Sequence, residues 1–129
     1  MMGVVKTIPE GAKQRTTMGP YSPVLEVQGG KLVVISGQVP INAVGEIVGK
    51  TIEEQTRAVL ENCKTQLGYA GCTFDNVFKA TVFMADLADF KAMNAVYMEM
   101  MPQPYPTRST IQAGLLPGFQ VEIEMWAAK

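Results

Sequence analysis

The stretch that decides the fold runs from residue 51 to residue 84 and reads TIEEQTRAVLENCKTQLGYAGCTFDNVFKATVFM. It opens with Thr51 and Glu54 in a Thr-x-x-Glu capping box, which is typical of a helix start. One face of the predicted helix then carries apolar or small side chains at three-to-four-residue spacing, at Ile52, Thr56, Val59, Cys63 and Leu67. Gly68 is a candidate C-cap. The segment Val77 to Met84 is rich in β-formers and carries few charges, which predicts a central strand.

Downstream of this stretch, the pattern predicts a second helix and two more strands. The helix starts near Asp86 or Asp89 and ends at Pro102, because proline cannot continue it. Its apolar face comprises Phe90, Met93, Tyr97 and Met100. The strands are Thr107 to Gln112 and Val121 to Ala127, and in the second of these apolar residues alternate with Glu122, Glu124 and Trp126, the period-two pattern of a half-buried strand.

Upstream of the first helix, three β-prone segments are separated by loops. They are Val4 to Ile8, Val24 to Gln28 and Lys31 to Ser36, and Gly29-Gly30 between the last two predicts a β-hairpin. The residues from Pro9 to Met18 are predicted to form a loop. The order β-β-β-α-β-α-β-β indicates one α+β domain over residues 1–129.

The composition indicates that part of the surface is covered by another subunit. Charged residues make up 18% of the chain, against about 25% in typical soluble domains. Two helices cover only one face of a mixed sheet of this size, so the other face must be polar or have a partner. We therefore expect a homo-oligomer in which sheet faces meet.

The charge balance and the absence of histidine exclude several functions. A net charge of -1 gives no drive for tight nucleic-acid binding, and the basic spot at Lys13 and Arg15 is too small for an RNA track. Without histidine, there is no Ser-His-Asp triad and no ordinary zinc site. No P-loop or dinucleotide fingerprint is present, so no cofactor is expected.

The two cysteines and the apolar runs bear on the compartment. Cys63 and Cys72 form no CxxC motif, and we expect both to be free thiols in a reducing compartment. There is no signal peptide and no run of about 20 apolar residues, so a cytoplasmic location is expected.

Arg108 is the first candidate for chemistry. At the start of a strand, two residues after Pro106, its planar guanidinium can bind a carboxylate through two hydrogen bonds. The alternatives are an ion pair with Glu122 or Glu124 on the next strand, or a solvated charge at the edge of the sheet. Those two glutamates form either the solvent-facing half of an amphipathic strand or a carboxylate near a pocket that activates water.

Other candidates lie in loops and at element ends. Tyr21, in the rigid loop 19–23, either lines a pocket or fills the core with its hydroxyl at the rim. Ser36 and Gly37 suit a close ligand approach or a bulge. Asn94, on the second helix, either hydrogen-bonds a neighbouring loop or lines a pocket.

Four segments together resemble a known family. They are Gly19-Pro20-Tyr21-Ser22, Ile35-Ser36-Gly37-Gln38-Val39-Pro40, Tyr105-Pro106-Thr107-Arg108-Ser109 and Val121-Glu122-Ile123-Glu124. They are similar to signature segments of the Rid family, the YjgF-type reactive intermediate deaminases, which are also called L-PSP endoribonucleases or translation inhibitors. The resemblance extends over essentially the whole chain.

The resemblance implies a chorismate-mutase-like α+β fold, a homotrimer with clefts between subunits, and hydrolysis of 2-imino and enamine acids to 2-keto acids and ammonia. Arg108 would then hold the substrate carboxylate and Glu122 would orient or activate water. Tyr21, Ser36, Gly37 and Asn94 would line the cleft. Thr110 stands where many active relatives carry cysteine, which excludes a thiol-dependent role there.

Three other functions stay open at this point. The same cleft could bind a keto or amino acid without turnover, or it could deaminate a larger catabolic acid. A ribonuclease, the third, is disfavoured by the acidic balance and the absence of histidine. Water addition to an imine needs positioning and modest proton transfer, which a chain without histidine can supply.

Overall fold

The predicted element order is confirmed in a computed structural model, which describes residues 6–12 and 19–129. The elements are β1 Lys6–Thr7, β2 Glu26–Val27, β3 Leu32–Gln38, α1 Ile52–Tyr69, β4 Val77–Met84, α2 Phe90–Met100, β5 Thr107–Gln112 and β6 Val121–Ala128. Single 3-10 turns precede β4 and α2, at Phe74–Asn76 and Leu87–Asp89. The start of the first predicted strand, most of the loop from Pro9 to Met18, and the basic pair Lys13 and Arg15 lie outside the described residues.

The main sheet has four strands in the order β3-β6-β4-β5. β4 and β5 run parallel, whereas β6 is antiparallel to both of its neighbours, β3 and β4. On the face that the helices cover, the side chains of β6 are completely buried, at Val121, Ile123 and Met125. The predicted alternation of β6 therefore sets which side of the sheet is core.

The capping box of α1 forms as predicted. The Thr51 hydroxyl accepts a hydrogen bond from the Glu54 amide at 3.1 Å, and the Glu54 carboxylate accepts one from the Thr51 amide at 3.1 Å. Backbone amides of Lys50 and Thr51 hold the pKa of Glu54 below its usual value. All five residues of the predicted apolar face are buried. The helix therefore begins where its sequence predicts.

The predicted C-cap at Gly68 is wrong. α1 continues through Tyr69, and Ala70 is its cap. The positive φ that a glycine accommodates occurs at Gly71, with φ 74°. Gly68 keeps a helical backbone, and the glycine that ends the helix is Gly71, three residues further along.

The predicted hairpin between residues 24 and 36 is also wrong. β2 pairs with β1 in a separate two-stranded sheet, and β3 pairs with β6. Neither Gly29 nor Gly30 adopts the positive φ that a tight hairpin turn requires. Instead, the Gly30 amide donates to the carbonyl of Lys129 at 3.0 Å. Pairing with the buried strand β6 outweighs the local turn signal.

The short strand β1 is anchored to the main sheet by a buried lysine. The Lys6 ammonium donates to the Val77 carbonyl at 2.6 Å, and only 4% of the residue is exposed. Burial lowers the pKa of Lys6 to about 8, although the charge of Asp75 acts in the opposite direction. Sequence patterning gives no sign of this contact, because Lys6 lies in a segment that reads as an ordinary β-strand.

The face of the sheet opposite the helices carries several exposed apolar side chains. Leu32, Val34 and Ile111 are exposed, and the Lys79 ammonium lies 5.3 Å from the centre of the Trp126 ring. We call this surface the open face. Its apolar character fits the low overall charge of the chain.

Candidate active site

Arg108 lies on the helix-covered side of the sheet. In the parallel pairing of β4 and β5 it is the partner of Ala80, which is buried under the helices. Its guanidinium carbon lies 4.8 Å from the ring centre of Tyr97 and 5.8 Å from that of Phe90, both on α2. Arg108 thus occupies the space between α2 and the edge strand β5.

The charge of Arg108 has no acidic partner among the described residues. The ion pair expected as its alternative role is absent there, because the one salt bridge between described side chains joins Arg57 to Glu99. One guanidinium nitrogen, Nη1, is buried and has no hydrogen-bond partner in the described part of the chain. Burial lowers the pKa of Arg108, and the nearby Tyr97 and Tyr21 act in the opposite direction. An arginine stays protonated in proteins, so the site presents an uncompensated cation.

Three further buried polar atoms on α2 and β5, the two elements that contain Arg108 and its aromatic neighbours, lack hydrogen-bond partners within residues 6–12 and 19–129. They are Asn94 Oδ1 and the Tyr97 hydroxyl on α2, and the Thr110 hydroxyl on β5. Thr110 is on the same face of β5 as Arg108, because its pairing partner is the buried Val82. Burial raises the pKa of Tyr97 above its ordinary value, so this hydroxyl stays neutral. Buried polar groups are usually paired in folded proteins, so this group of four marks a place where a polar ligand could bind.

The loop that carries Tyr21 is held against this region. The Ser22 hydroxyl donates to the Tyr105 carbonyl, and the Ser22 amide donates to the Pro106 carbonyl at 3.1 Å, just before β5. Gly19, with φ 98°, passes so close to Asn94 that a Cβ there would lie 2.9 Å from the Asn94 amide nitrogen. The same loop and Tyr105 border a pocket of about 330 Å³. Tyr21 and Asn94 are therefore brought to the Arg108 side of the site.

Glu122 lies on the open face, where its side chain packs against the backbone at Gly37. The strand β3 has a register shift between Ile35 and Gln38, which includes Ser36 and Gly37. A Cβ on Gly37 would lie 2.2 Å from Glu122 Oε2 and 3.1 Å from its Cγ. Only glycine leaves room for the Glu122 carboxylate in this position. Ser36 is exposed beside it, and its carbonyl accepts a hydrogen bond from the Gln38 side chain at 3.0 Å.

Glu124 shares the open face but is not part of this contact. The pairing partner of Glu124 is Thr81, whereas that of Glu122 is Phe83, near the C-terminal end of β4. Glu122, Gly37 and Ser36 therefore form a second group, separated from the Arg108 group by the thickness of the sheet. Within one chain, the structure brings together the residues of each group but not the two groups.

Sequence reasoning missed the roles of Phe90 and Tyr97, which it assigned only to the helix core. A signal was available, because the two are seven residues apart and so lie on one face of α2, two turns from each other. What was missing is the register that places Arg108 of β5 beneath that face.

The described residues offer no alternative site of metal chemistry. Within 6–12 and 19–129, no three His, Cys, Asp or Glu side chains lie close enough together to hold a metal ion. Neither α1 nor α2 has the length and apolar character that a helix needs to cross a membrane.

Comparison with known proteins places the chain among well-defined relatives. The profile of the family described as Endoribonuclease L-PSP matches residues 12–129. The 2-iminobutanoate/2-iminopropanoate deaminase of Capra hircus is 38% identical over 131 residues, covering 100% of this chain and 94% of the relative. The mitochondrial protein mmf2 of Schizosaccharomyces pombe is 39% identical over 126 residues, covering 95% of this chain and 98% of mmf2.

A solved structure agrees with the sequence comparison. The crystal structure of Escherichia coli TdcF with bound serine superposes with a TM-score of 0.69 at 35% identity, covering 89% of this chain and 96% of TdcF. Two helices on one face of a mixed sheet, together with these matches, confirm the predicted α+β fold of chorismate-mutase-like type.

Proposed function

This chain belongs to the Endoribonuclease L-PSP family, the YjgF-type or Rid family, and we propose that it is a hydrolytic deaminase of reactive 2-imino and enamine acids. Its substrates are of the class of 2-aminoacrylate and 2-iminobutyrate, and its products are 2-keto acids and ammonia. The similarity to an iminobutanoate deaminase supports this assignment. The observation that carries it is the buried, uncompensated cation of Arg108 with a free Nη1.

Arg108 acts as the carboxylate clamp. Two N–H groups of its guanidinium bind the two carboxylate oxygens of the substrate, which neutralises the buried charge and fixes the direction of the Cα–carboxylate bond. Thr110 and Asn94 line the cleft beside Arg108. Their side-chain oxygens, which have no hydrogen-bond partner among the described residues, form hydrogen bonds with the bound substrate. Tyr21 closes the cleft from the loop 19–23.

Glu122 orients and activates the attacking water. The carboxylate takes a proton from water as the water oxygen bonds to the imine carbon, and passes that proton to the imine nitrogen, which gives a neutral tetrahedral carbinolamine. Glu122 then takes the proton of the new hydroxyl group and delivers it to the nitrogen as the C–N bond breaks, so that ammonia leaves and the hydroxyl oxygen becomes the 2-keto oxygen. Ser36 and Gly37 form the backbone wall that holds this carboxylate.

The active unit is a homotrimer in which the clefts lie between subunits. Arg108 and Glu122 lie on opposite faces of one sheet, so two chains must approach for one cleft to contain both. The exposed apolar side chains of the open face, including Leu32, Val34 and Trp126, provide a surface for that approach. The number three comes from the family resemblance, whereas the need for a second chain follows from the sheet.

The setting we propose is the cytoplasm, with no nucleic acid, membrane or cofactor as partner. Free, buried thiols at Cys63 and Cys72 fit a reducing compartment. The relative mmf2 of Schizosaccharomyces pombe is mitochondrial.

The test couples a PLP-dependent threonine dehydratase to the purified protein. The release of 2-ketobutyrate is followed while semicarbazide traps the free imine. Wild-type protein should accelerate keto-acid release, and Arg108→Ala should abolish this acceleration while the oligomer remains intact by light scattering. Full activity in Arg108→Ala would remove Arg108 from the mechanism.

One observation favours a second candidate, a non-catalytic ligand-binding trimer that uses the same cleft. TdcF, a relative, was crystallised with an amino acid bound. Binding of a 2-keto acid without any acceleration of imine hydrolysis would support this candidate, or a deaminase of a larger catabolic amino-unsaturated acid if such a substrate is turned over.

A further inference from the structure

The guanidinium of Arg108 is held in a way that is unusual for a buried cation. Buried charges are commonly paired with an opposite charge. Arg108 instead contacts two aromatic rings, Tyr97 at 4.8 Å and Phe90 at 5.8 Å, and no acid among the described residues pairs with it.

We propose that Phe90 and Tyr97 are positioning residues, which hold Arg108 through their ring faces in place of an acid and so leave its charge for the substrate carboxylate. The identity of that carboxylate rests on the proposed function. The aromatic pair itself rests only on the geometry of α2 and β5.

The chemistry of the two kinds of partner explains why rings suit this place. A carboxylate partner would occupy the in-plane N–H donors of the guanidinium and neutralise its charge, so a substrate carboxylate would have to compete with it. A ring face attracts the cation through its quadrupole and contacts the guanidinium through its plane, which leaves the edge donors free. The unpartnered Nη1 is the expected result of such an arrangement.

The helix makes the arrangement rigid. Tyr97 is completely buried and packed in the core, whereas Phe90 is half-buried at the start of α2. The Tyr97 hydroxyl stays neutral, because burial raises its pKa, so the ring does not acquire a charge of its own beside Arg108. Because Tyr97 is fixed by core packing, its ring holds the guanidinium of Arg108 in one position.

The test uses leucine variants that remove the ring but keep an apolar side chain. Tyr97→Leu should raise both the KM for the imine and the Kd for 2-oxobutanoate about tenfold, with kcat changed by less than about twofold. Phe90→Leu, whose ring is further away, should raise them about threefold. Tyr97→Phe, which restores a ring without the hydroxyl, should recover the affinity lost in Tyr97→Leu.

A matched control separates positioning from loss of stability. Phe74 is a buried aromatic residue of the same core, in the 3-10 turn before β4. Phe74→Leu should lower Tm without changing KM or Kd. A merely structural role of Tyr97 would instead give Tyr97→Leu the same signature as Phe74→Leu.

A ligand-free measurement keeps this inference distinguishable from the proposed function. The Nε–Hε resonance of Arg108 should be shifted by the ring currents and should move towards its ordinary position in each leucine variant. If wild-type protein binds 2-oxobutanoate but hydrolyses no imine, the proposed function fails and the binding data still decide the positioning role. If wild-type protein binds no keto acid, the Arg108 resonance in wild type and in the leucine variants decides whether the two rings position Arg108.

Three results would overturn the inference. One is wild-type affinity in Tyr97→Leu and Phe90→Leu with an unmoved Arg108 resonance. Another is a loss in Tyr97→Phe as large as that in Tyr97→Leu, which would assign the effect to the hydroxyl. The third applies if Tyr97→Leu fails to fold. In that case, wild-type affinity and an unmoved Arg108 resonance in Phe90→Leu would overturn the inference.

Discussion

Adding a single methyl group at Gly37 should displace the carboxylate of Glu122, the proposed water-activating group, without unfolding the protein. In Gly37→Ala the new Cβ would lie 2.2 Å from Glu122 Oε2, 2.9 Å from Cδ and 3.1 Å from Cγ. Three atoms of one side chain are crowded at once, so Glu122 must rotate away rather than tilt. Gly37 has no positive φ, so alanine adds no backbone strain.

Gly37→Ala should lower kcat far more than it lowers the stability of the fold. The crowded atoms belong to the end of a flexible, half-exposed side chain, so we expect Tm to fall by only a few degrees, about 1 kcal/mol or less. General acid–base catalysis contributes about 10²- to 10⁴-fold, and a displaced Glu122 loses this contribution. We therefore expect kcat to fall about a hundredfold, with KM changed by less than about twofold because the Arg108 clamp lies on the other side of the sheet.

The measurement is the dehydratase-coupled assay on Gly37→Ala, Glu122→Gln and the double variant. Because both changes act on one carboxylate, their effects should not add, and Gly37→Ala should cost little in the Glu122→Gln background. Gly68→Ala is the matched control, since nothing lies within 4 Å of a Cβ there. Gly68 lies in the last turn of α1, so alanine should increase stability by at most about 0.8 kcal/mol and leave kcat unchanged.

Additive losses in the double variant would refute this reasoning, because they would mean that Gly37 acts independently of Glu122. Wild-type kcat in Gly37→Ala would show that the carboxylate finds an equivalent position, and the proposed role of the glycine would then be lost.

Two further predictions follow from buried ionisable groups. Folded Lys6 releases its proton at a pKa of about 8 and the unfolded chain only near 10.5, so the unfolded state binds more protons in between, and Lys6 should add about 1 kcal/mol to the free energy of unfolding from pH 8 to pH 9. The raised pKa of Cys63 acts in the opposite direction over part of the same range, and that of Tyr97 does so at higher pH, so denaturant unfolding compares wild type with Lys6→Met, which shares both of these effects. The difference in free energy of unfolding between the two proteins should change by about 1 kcal/mol from pH 8 to pH 9, and a constant difference would contradict the assignment. Iodoacetamide at pH 7.5 should leave the activity intact, because Cys63 and Cys72 are buried, burial raises the pKa of Cys63 to about 12, and Thr110 carries no thiol. Inactivation of the wild type by the reagent would contradict the protection of these two thiols by burial.

The parts of the fold that the sequence predicted correctly are those whose signals are local and unopposed. The capping box at Thr51 satisfies backbone donors within one turn, and the alternation in β6 needs only one buried face. The Gly29-Gly30 signal is equally local but meets a competitor, because β3 gains a full-length pairing with buried β6 while β2 gains only two residues against β1. Residue patterns alone do not compare such distant pairings.

The sequence proposed the members of the candidate site, whose roles stay predictions, but it did not predict how these residues are arranged. Arg108 and Glu122 were both identified from their residue types and the resemblance, and the alternation of β6 already indicates that Glu122 faces away from the core. The face of Arg108 depends on the parallel register that pairs it with Ala80, and no local pattern in β5 specifies that register. The aromatic contacts from α2 were missed for the same reason.

The separation of Arg108 from Glu122 ties the proposed chemistry to assembly. Arg108 on β5 and Glu122 on β6 lie on opposite faces of the sheet with β4 between their strands, so no rotamer change brings the two side chains together. A second chain must therefore supply one of the two groups, and an isolated chain should be able to bind a carboxylate weakly at Arg108 without activating water. It follows that a mixture of Arg108→Ala and Glu122→Gln chains should be more active when co-assembled than either variant alone, since some clefts then receive an intact Arg108 from one chain and an intact Glu122 from the other. An arrangement that used both groups from a single chain would give no such gain.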